Sequence, residues 1–334
     1  MDVVRQLDKR RWREFVDGHP LGNVFHTPEM FQVFSGAKNF QPELWAATDQ
    51  DRILALFLPV RVTLMNGLLS ALTTRAIAYG SVLWAPSEEG RQALALLLET
   101  YARQTKGGFL FTELRNLACL DPVQPILQQS GFAYEPHLNY WIDLDRSPEA
   151  IFAGIGRRTR KNIRRGLRRG YVTVEQVHSR EQIGICYGLL DQTYRAANVP
   201  LADRSVLEAA FDLLQPRGMV RFTLARVGQS PAAVSVELLY KDVVLGWFGG
   251  MDRAYGRYVP NELLIWHILE WGAQNGYRYY DFGGAGKPGE EYPVRDFKAK
   301  FGGQLVSFGR NICVHAPGRL WLSKRGYTLL RRWL

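Results

Sequence analysis

The chain has 334 residues, 46% of them hydrophobic and 22% charged, which excludes wholesale disorder and leaves room for two domains. Its net charge is +10, yet the thirteen residues between Gly156 and Gly170 hold eight Arg or Lys and no acid, and Arg319 to Leu334 holds five more. The remainder is slightly acidic, so the basicity marks local contact surfaces and excludes a generally cationic protein.

In chain order, a helix is predicted from the start to about Asp17. "HTPEMFQVF" opens as a capped helix with Pro28 at its first position. "LWAATDQDRILALFLPVRV" reads as strand, polar turn, strand. "SEEGRQALALLLETYARQTKGG" is an amphipathic helix closed by glycines, "FLFTELR" a strand, and "PVQPILQQSG" a short helix leading to "FAYEPHLNYWIDL". Ser147-Pro148 then offers a helix start. "SREQIGICYGLLDQTYRAA" and "RSVLEAAFDLL" are helices, and "VRFTLARVGQSPAAVSVELLYKDVVLGWFGG" gives three strands. "PNELLIWHILEWGAQNG" is a long helix and "YRYYDFGG" the strand after it.

Both halves thus run helices, antiparallel meander, long helix, strand. The order predicts a mixed α/β fold used twice, each domain a mostly antiparallel sheet flanked by helices. The expected limits are residues 1–145 and 146–312, followed by a basic amphipathic segment, 313–334.

Cys119, Cys186 and Cys313 form no C-x-x-C pair, and no His stands at metal-ligand spacing, so neither a disulfide framework nor a metal site is expected. The opening residues lack the apolar core of a signal peptide, and no stretch approaches the roughly 18 apolar residues of a membrane span. A cytoplasmic protein is expected, soluble or peripheral at the inner face of the plasma membrane.

A strand meander followed by a helix resembles the layout of GNAT acyltransferases, which bind the diphosphate of CoA on backbone N–H groups before the long helix. The corresponding stretch here is "RAYGRYVPN", Arg253 to Asn261. Tyr258 stands where a minimal side chain is needed and Pro260 removes an N–H donor, so acetyl-CoA is the less favoured donor. Tyr258 and Asn261 remain candidates to line a substrate. "DFGGAGKPGEEYPVRDFKAKFGG", from Asp281, joins a strand end to a glycine-rich loop. Gly283 and Gly284 permit close backbone approach to a ligand, and Lys298 offers a positive group for a developing oxyanion. The alternative, a Lys298 that is only a solvated residue, is equally open on these residues alone.

Taken together, "TRKNIRRGLRRGYVTVE", "AANVPLADRSVLEAAFDLL", "GGMDRAYGRYVPNELLIWHILEWGAQNGYRYYDFGG" and "FKAKFGG" resemble the FemABX family, over nearly the whole chain. Members are aminoacyl-tRNA-dependent transferases that build peptidoglycan cross-bridges. The resemblance implies two tandem GNAT-like domains and a degenerate CoA loop. It implies aminoacyl-tRNA as donor, a lipid-linked or nucleotide-linked muropeptide as acceptor, a monomer, and no metal or other cofactor. By position, Lys298 of the Phe297-Lys298 pair matches the family's lysine at the reacting carbonyl, and Arg204 its arginine on the acceptor diphosphate. The first-domain lysine of that diphosphate site aligns with Gln32, its charge missing or moved to Lys38. Asp281 is a candidate general base.

Arg157, Arg158, Arg160, Lys161, Arg164 and Arg165 fall on one wholly basic helix, with Ile163 and Leu167 as its thin apolar seam. The helix suits tRNA or substrate phosphates, an anionic membrane surface, or simply solvent. In the C-terminal segment, Leu322, Leu329, Leu330, Trp333 and Leu334 share a face flanked by Lys324, Arg325, Arg331 and Arg332. That suits an anionic bilayer interface or docking on the core. Two further functions stay open: acyl-CoA-dependent N-acylation of a sugar amine in polysaccharide synthesis, and a non-catalytic membrane- or RNA-binding scaffold.

Overall fold

The computed structural model describes residues 1–65 and 67–330. The opening is β1 (Asp2–Val4), not helix, because Asp8 accepts from the N–H groups of Arg10 and Arg11 and so starts α1 (Lys9–Gly18) only at Lys9. Thr27 caps α2 (Pro28–Ser35), with Pro28 first in the helix. A meander follows: β2 (Phe40–Pro42), β3 (Trp45–Asp49), β4 (Arg52–Phe57), β5 (Val60–Thr63), β6 (Thr74–Ala78) and β7 (Val82–Trp84). Ser87 caps the long α3 (Glu88–Thr105), after which come β8 (Phe111–Arg115), α4 (Gln124–Gln129) and β9 (Ala133–Glu135).

The next elements are β10 (Leu138–Asp143), α5 (Pro148–Gly154), capped by Ser147, α6 (Arg157–Arg169) and β11 (Val172–Gln176). Two helices, α7 (Arg180–Ala196) and α8 (Arg204–Leu214), precede the meander β12 (Val220–Val227), β13 (Ser230–Tyr240) and β14 (Val243–Met251). The long α9 (Pro260–Gln274) leads to β15 (Tyr279–Gly284), α10 (Pro293–Ala299) and β16 (Gln304–Ser307), then β17 (Arg310–Val314) and α11 (Pro317–Leu330).

The chain divides into two units, residues 1–136 with 308–334, and residues 137–307. These limits differ from 145/146 and 312/313 because strand pairing is non-local. β10 pairs with β15 and β16 in the second sheet, whereas β17 inserts between β8 and β9 in the first unit. A strand's own residues do not state which sheet takes it.

The first unit has a four-stranded sheet, β1-β3-β4-β7, and a six-stranded one, β2-β5-β6-β8-β17-β9. α3 lays Leu94, Leu97, Leu98 and Tyr101 into a core with Trp45 and Phe57, and Tyr101 meets both rings edge-on at 5.1 and 4.8 Å. Each such side chain contributes about 1.5–3 kcal/mol of burial. In α11, Trp321 and Leu322 are exposed, Arg325 lies 3.9 Å over the Trp321 ring, and the Ser323 hydroxyl donates to Leu72 O at 2.7 Å. Arg331, Arg332, Trp333 and Leu334 lie outside the described residues, as do the side chains of Lys324, Leu329 and Leu330. Among the described residues, no helix is long and apolar enough to cross a membrane.

The second unit is one seven-stranded sheet, β11-β12-β13-β14-β15-β10-β16, antiparallel except for the β14–β15 pair. α9 covers one face with Leu263, Leu264, Ile268 and Leu269 buried. That face, and the β14–β15 pair beside it, position the site.

Candidate active site

In the second unit, β14 and β15 pair over Val243–Leu245 against Tyr279–Asp281 and no further, although both strands continue. Beyond Leu245 and Asp281 the facing edges have no ladder partners, which opens a cleft at the carboxyl ends of the parallel pair.

Lys298, on α10, is only 8% exposed and points at this end of β15. Its Nζ donates to the carbonyls of Phe282 (2.6 Å), Gly284 (2.7 Å) and Gly283 (3.3 Å). All three ammonium donors are thereby engaged, and Gly283 O is the weakest acceptor. Burial lowers the Lys298 pKa to about 8, with the Asp281 charge opposing the shift. Asp281 is buried as well: its Oδ1 accepts from Gly283 N–H at 2.7 Å and its Oδ2 from Asn139 Nδ2 at 3.4 Å. The first of these bonds holds the left-handed turn at Gly283, φ 70°, which a residue with a Cβ adopts at a cost. Burial raises the Asp281 pKa against the pull of its donors and of Lys298. Phe297 packs edge-on against Phe301 at 5.3 Å. Lys298, Asp281, Gly283 and Gly284 therefore meet at one place, whereas the Phe297 ring packs on Phe301 and the core of the unit.

Behind the cleft lies a polar group that the sequence reading missed. Glu237, in the middle of β13, is fully buried and accepts from the Ser235 hydroxyl. Tyr280 of β15 also bonds Ser235, crossing β14 at Gly246, where a Cβ would stand 3.0 Å from its hydroxyl. Burial lifts the Glu237 pKa to about 8, although Arg221 stands opposite on β12. The available signal was a carboxylate inside the apolar run "AAVSVELLY".

The turn before α9 is a 3-10 segment, Arg253–Tyr258. Its N–H groups turn inward: Ala254 donates to Asp252 Oδ1, Tyr255 to Asp252 O and Val259 to Gly256 O. Val259 is left-handed at φ 54°, and Pro260 contributes no donor. The Tyr258 hydroxyl accepts from Arg257 at 2.7 Å, and its ring meets Tyr171 at 5.9 Å. Asn261 is the first residue of α9 with an N–H to offer. Three of the turn's N–H groups are thus taken within the turn, and the Tyr258 phenol is held by Arg257.

Arg204, first in α8, lies against Gly184 of α7 and pairs with Glu208 at 2.8 Å. Its charge is thus shared with a carboxylate. Gln32 sits on α2 and Lys38 in the loop after it, both in the first unit.

The basic helix α6 has a definite inner face. Thr159 and Ile163 are buried and Gly166 sits against Leu263 of α9. Leu167 is 59% exposed, so the seam expected from Ile163 and Leu167 is instead Thr159–Ile163–Gly166. A 13-residue helix shows one stripe to its neighbour, and Leu167 falls outside it. Arg157, Arg160, Lys161, Arg164, Leu167 and Arg168 line a surface groove of about 650 Å³. Arg158 and Arg165 are exposed away from that groove, the latter bonded to Asn162 at 3.2 Å.

With this geometry in view, comparisons with known proteins agree on the fold. Residues 156–298 match the family model described as the acetyltransferase (GNAT) domain. The chain is similar to the crystal structure of FemX, with TM-score 0.71, 13% identity, and coverage of 98% of this chain and 99% of that one. It is also similar to L-PGS from Bacillus licheniformis (0.58, 14%, covering 97% and 98%) and to the tandem GNAT protein of the clavulanic acid pathway (0.58, 14%, covering 95% and 99%). No curated protein matches the sequence. The parted β14–β15 pair, the long helix after the turn and these likenesses agree that the chain shares the fold of FemX and of tandem GNAT proteins, with residues 156–298 matching the acetyltransferase (GNAT) domain.

Proposed function

We propose that this protein transfers an aminoacyl group from a charged tRNA to an amine of a peptidoglycan precursor, lipid-linked or nucleotide-linked. The observation that carries the reading is the closed turn at Tyr258 and Pro260, beside a cleft that keeps a buried lysine. An acyltransferase domain whose diphosphate turn is filled favours a donor that brings its own recognition elements, and the groove of α6 offers cations for the phosphates of tRNA. The tandem fold shared with FemX supports the same reading.

In the reaction the acceptor amine attacks the ester carbonyl, a C–N bond forms, the C–O bond to ribose breaks, and the amine proton ends on the leaving ribose oxygen. Lys298 stabilises the oxyanion, which takes the place of Gly283 O, its weakest acceptor. Asp281 is committed to Gly283 and Asn139, so water or the substrate carries the proton. Arg204 holds the acceptor diphosphate in exchange for Glu208. An acceptor on a lipid would bring the exposed Trp321 and Leu322 toward a membrane surface.

The match to the acetyltransferase (GNAT) domain favours a second reading, acyl-CoA-dependent N-acylation of a sugar amine. One assay separates the two. Pooled radiolabelled aminoacyl-tRNA and, separately, labelled acetyl-CoA are offered with lipid-linked and nucleotide-linked muropeptides and amino sugars. Label moving from tRNA is expected; label moving from acetyl-CoA alone overturns the proposal.

A further inference from the structure

The helix that carries Lys298 carries a second cation bound in the same manner. Arg295 stands three positions before Lys298 on α10, so both side chains lie on one face of that helix. Lys298 takes the carbonyls of Phe282, Gly283 and Gly284, and Arg295 takes up the chain where Lys298 leaves it. Its Nε donates to Ala285 O at 2.7 Å, its Nη1 to Glu290 O at 3.0 Å and its Nη2 to Lys287 O. Two cations one turn apart thus hold six carbonyls between the end of β15 and Glu290.

The stretch needs such a hold because its own backbone offers little regular pairing. "AGKPGEE", from Ala285 to Glu291, runs through left-handed turns at Gly286 (φ 78°) and Gly289 (φ 76°), and Pro288 has no N–H. Its first residues are tied to Leu138 at the start of β10, which accepts from Ala285 N–H and donates to Gly286 O at 2.9 Å. From Lys287 onward the chain leaves the sheet, and Arg295 returns it to α10. The fit is close: a Cβ at Gly286 would stand 3.2 Å from Arg295 Nη2 and 3.0 Å from the Tyr292 ring. A guanidinium suits this place, since its five donors sit in a rigid fork that reaches separated acceptors, whereas an ammonium gathers its acceptors around one point.

We propose that Arg295 is a positioning residue for Lys298. By holding Ala285, Lys287 and Glu290 it fixes the backbone on which the Lys298 ammonium rests, so that one donor can pass to a developing oxyanion while the other two keep Phe282 O and Gly284 O. Gly284 O and Ala285 O are consecutive carbonyls, one on each cation, so freeing the second displaces the first. An oxyanion donor is effective because its place is fixed before the reaction, and a second group that locks its supports supplies that fixity. This role rests on the transfer reading for what Lys298 does, but the contacts themselves belong to the resting protein.

The test is a double-mutant cycle in the transfer assay, with Arg295→Met, Lys298→Met and the two combined, beside Arg295→Lys. Arg295→Met is expected to lower kcat by about 10²-fold, the scale of a misplacement of about 1 Å, with KM for donor and acceptor nearly unchanged. Arg295→Lys should recover part of that loss. The combined variant is expected to be no slower than Lys298→Met alone, since nothing is left to position; losses that multiply instead overturn the proposal. A second readout needs no turnover: acetylation of the Lys298 amine by acetic anhydride, followed by mass spectrometry of the full chain. The buried amine is expected to react about tenfold faster or more in Arg295→Met than in wild type, and less fast in Arg295→Lys, which carries the comparison if Arg295→Met is destabilised. Equal labelling rates overturn the positioning role whichever donor the protein uses. Labelling that depends on Arg295 while wild type moves nothing from tRNA upholds that role and removes the transfer reading alone.

Discussion

Lys298 and Asp281 hold the same strand end from two sides: the Lys298 ammonium binds the carbonyls of Phe282, Gly283 and Gly284, while the Asp281 carboxylate takes the N–H of Gly283. The pair fixes the arm of the cleft where β15 leaves β14. Lys298 therefore has a positioning role in the resting protein as well as the proposed catalytic one, and the two need different variants to separate them.

Lys298→Met keeps the bulk of the side chain and removes the charge. Transfer is expected to fall by about 10²–10³-fold, the scale of a lost oxyanion donor. Freeing three carbonyls is also expected to cost stability, by roughly 2–4 kcal/mol in denaturant titration. In wild type, the rate should decline above the Lys298 pKa of about 8 as the ammonium is lost. Lys298→Arg should move that limb upward by more than one pH unit if it retains activity. A limb that stays in place assigns it to another group.

Lys298 and Glu237 impose opposite pH trends on stability. The folded pKa of Glu237 is raised from 4.5 to about 8, so the folded chain keeps a proton that the unfolded chain has lost, and stability falls as pH rises through that window. The folded pKa of Lys298 is lowered from 10.5 to about 8, so stability rises between pH 8 and 10.5, by roughly 3 kcal/mol if fully expressed. Glu237→Gln is expected to flatten the lower window only. Melting temperatures of the two proteins from pH 5 to 9 check this; parallel curves would refute it.

Gly246 is needed because Tyr280 crosses β14 there. Gly246→Ala puts a methyl group 3.0 Å from the Tyr280 hydroxyl and is expected to cost about 1–3 kcal/mol. Combining it with Tyr280→Phe, which removes that hydroxyl, should recover part of the loss. A double-mutant cycle with purely additive effects would show that the close approach is not the cause.

On α6 the buried and basic residues should separate cleanly. Ile163→Ala is expected to cost about 2–4 kcal/mol of stability, whereas Leu167→Ala, at a 59% exposed position, should cost almost nothing. Arg157→Gln/Lys161→Gln should leave the melting temperature unchanged and lower the salt slope of RNA binding by about 0.7 for each phosphate no longer neutralised. An unaltered slope would remove α6 from the RNA surface.

Much of the architecture was legible in local chemistry. Thr27-Pro28, Ser87 and Ser147-Pro148 announce helix starts because their side chains satisfy, or their ring removes, orphan N–H groups. Phe297-Lys298 and the glycines after Asp281 marked the strand end that forms the cleft.

Tertiary structure decided what depends on distant partners. Only strand pairing sends β10 to one sheet and β17 to the other, since both are short strands with unremarkable sequences. Only packing on Leu263 turns Ile163 inward and leaves Leu167 in solvent. The neighbours of a charge are also set by the fold: Glu237 meets Ser235, and Arg310 reaches Glu113 from 197 positions away along the chain. A residue's type fixes the chemistry it can offer, but burial and cross-strand neighbours set its solvation and the field it feels, and these arise only when the sheet closes.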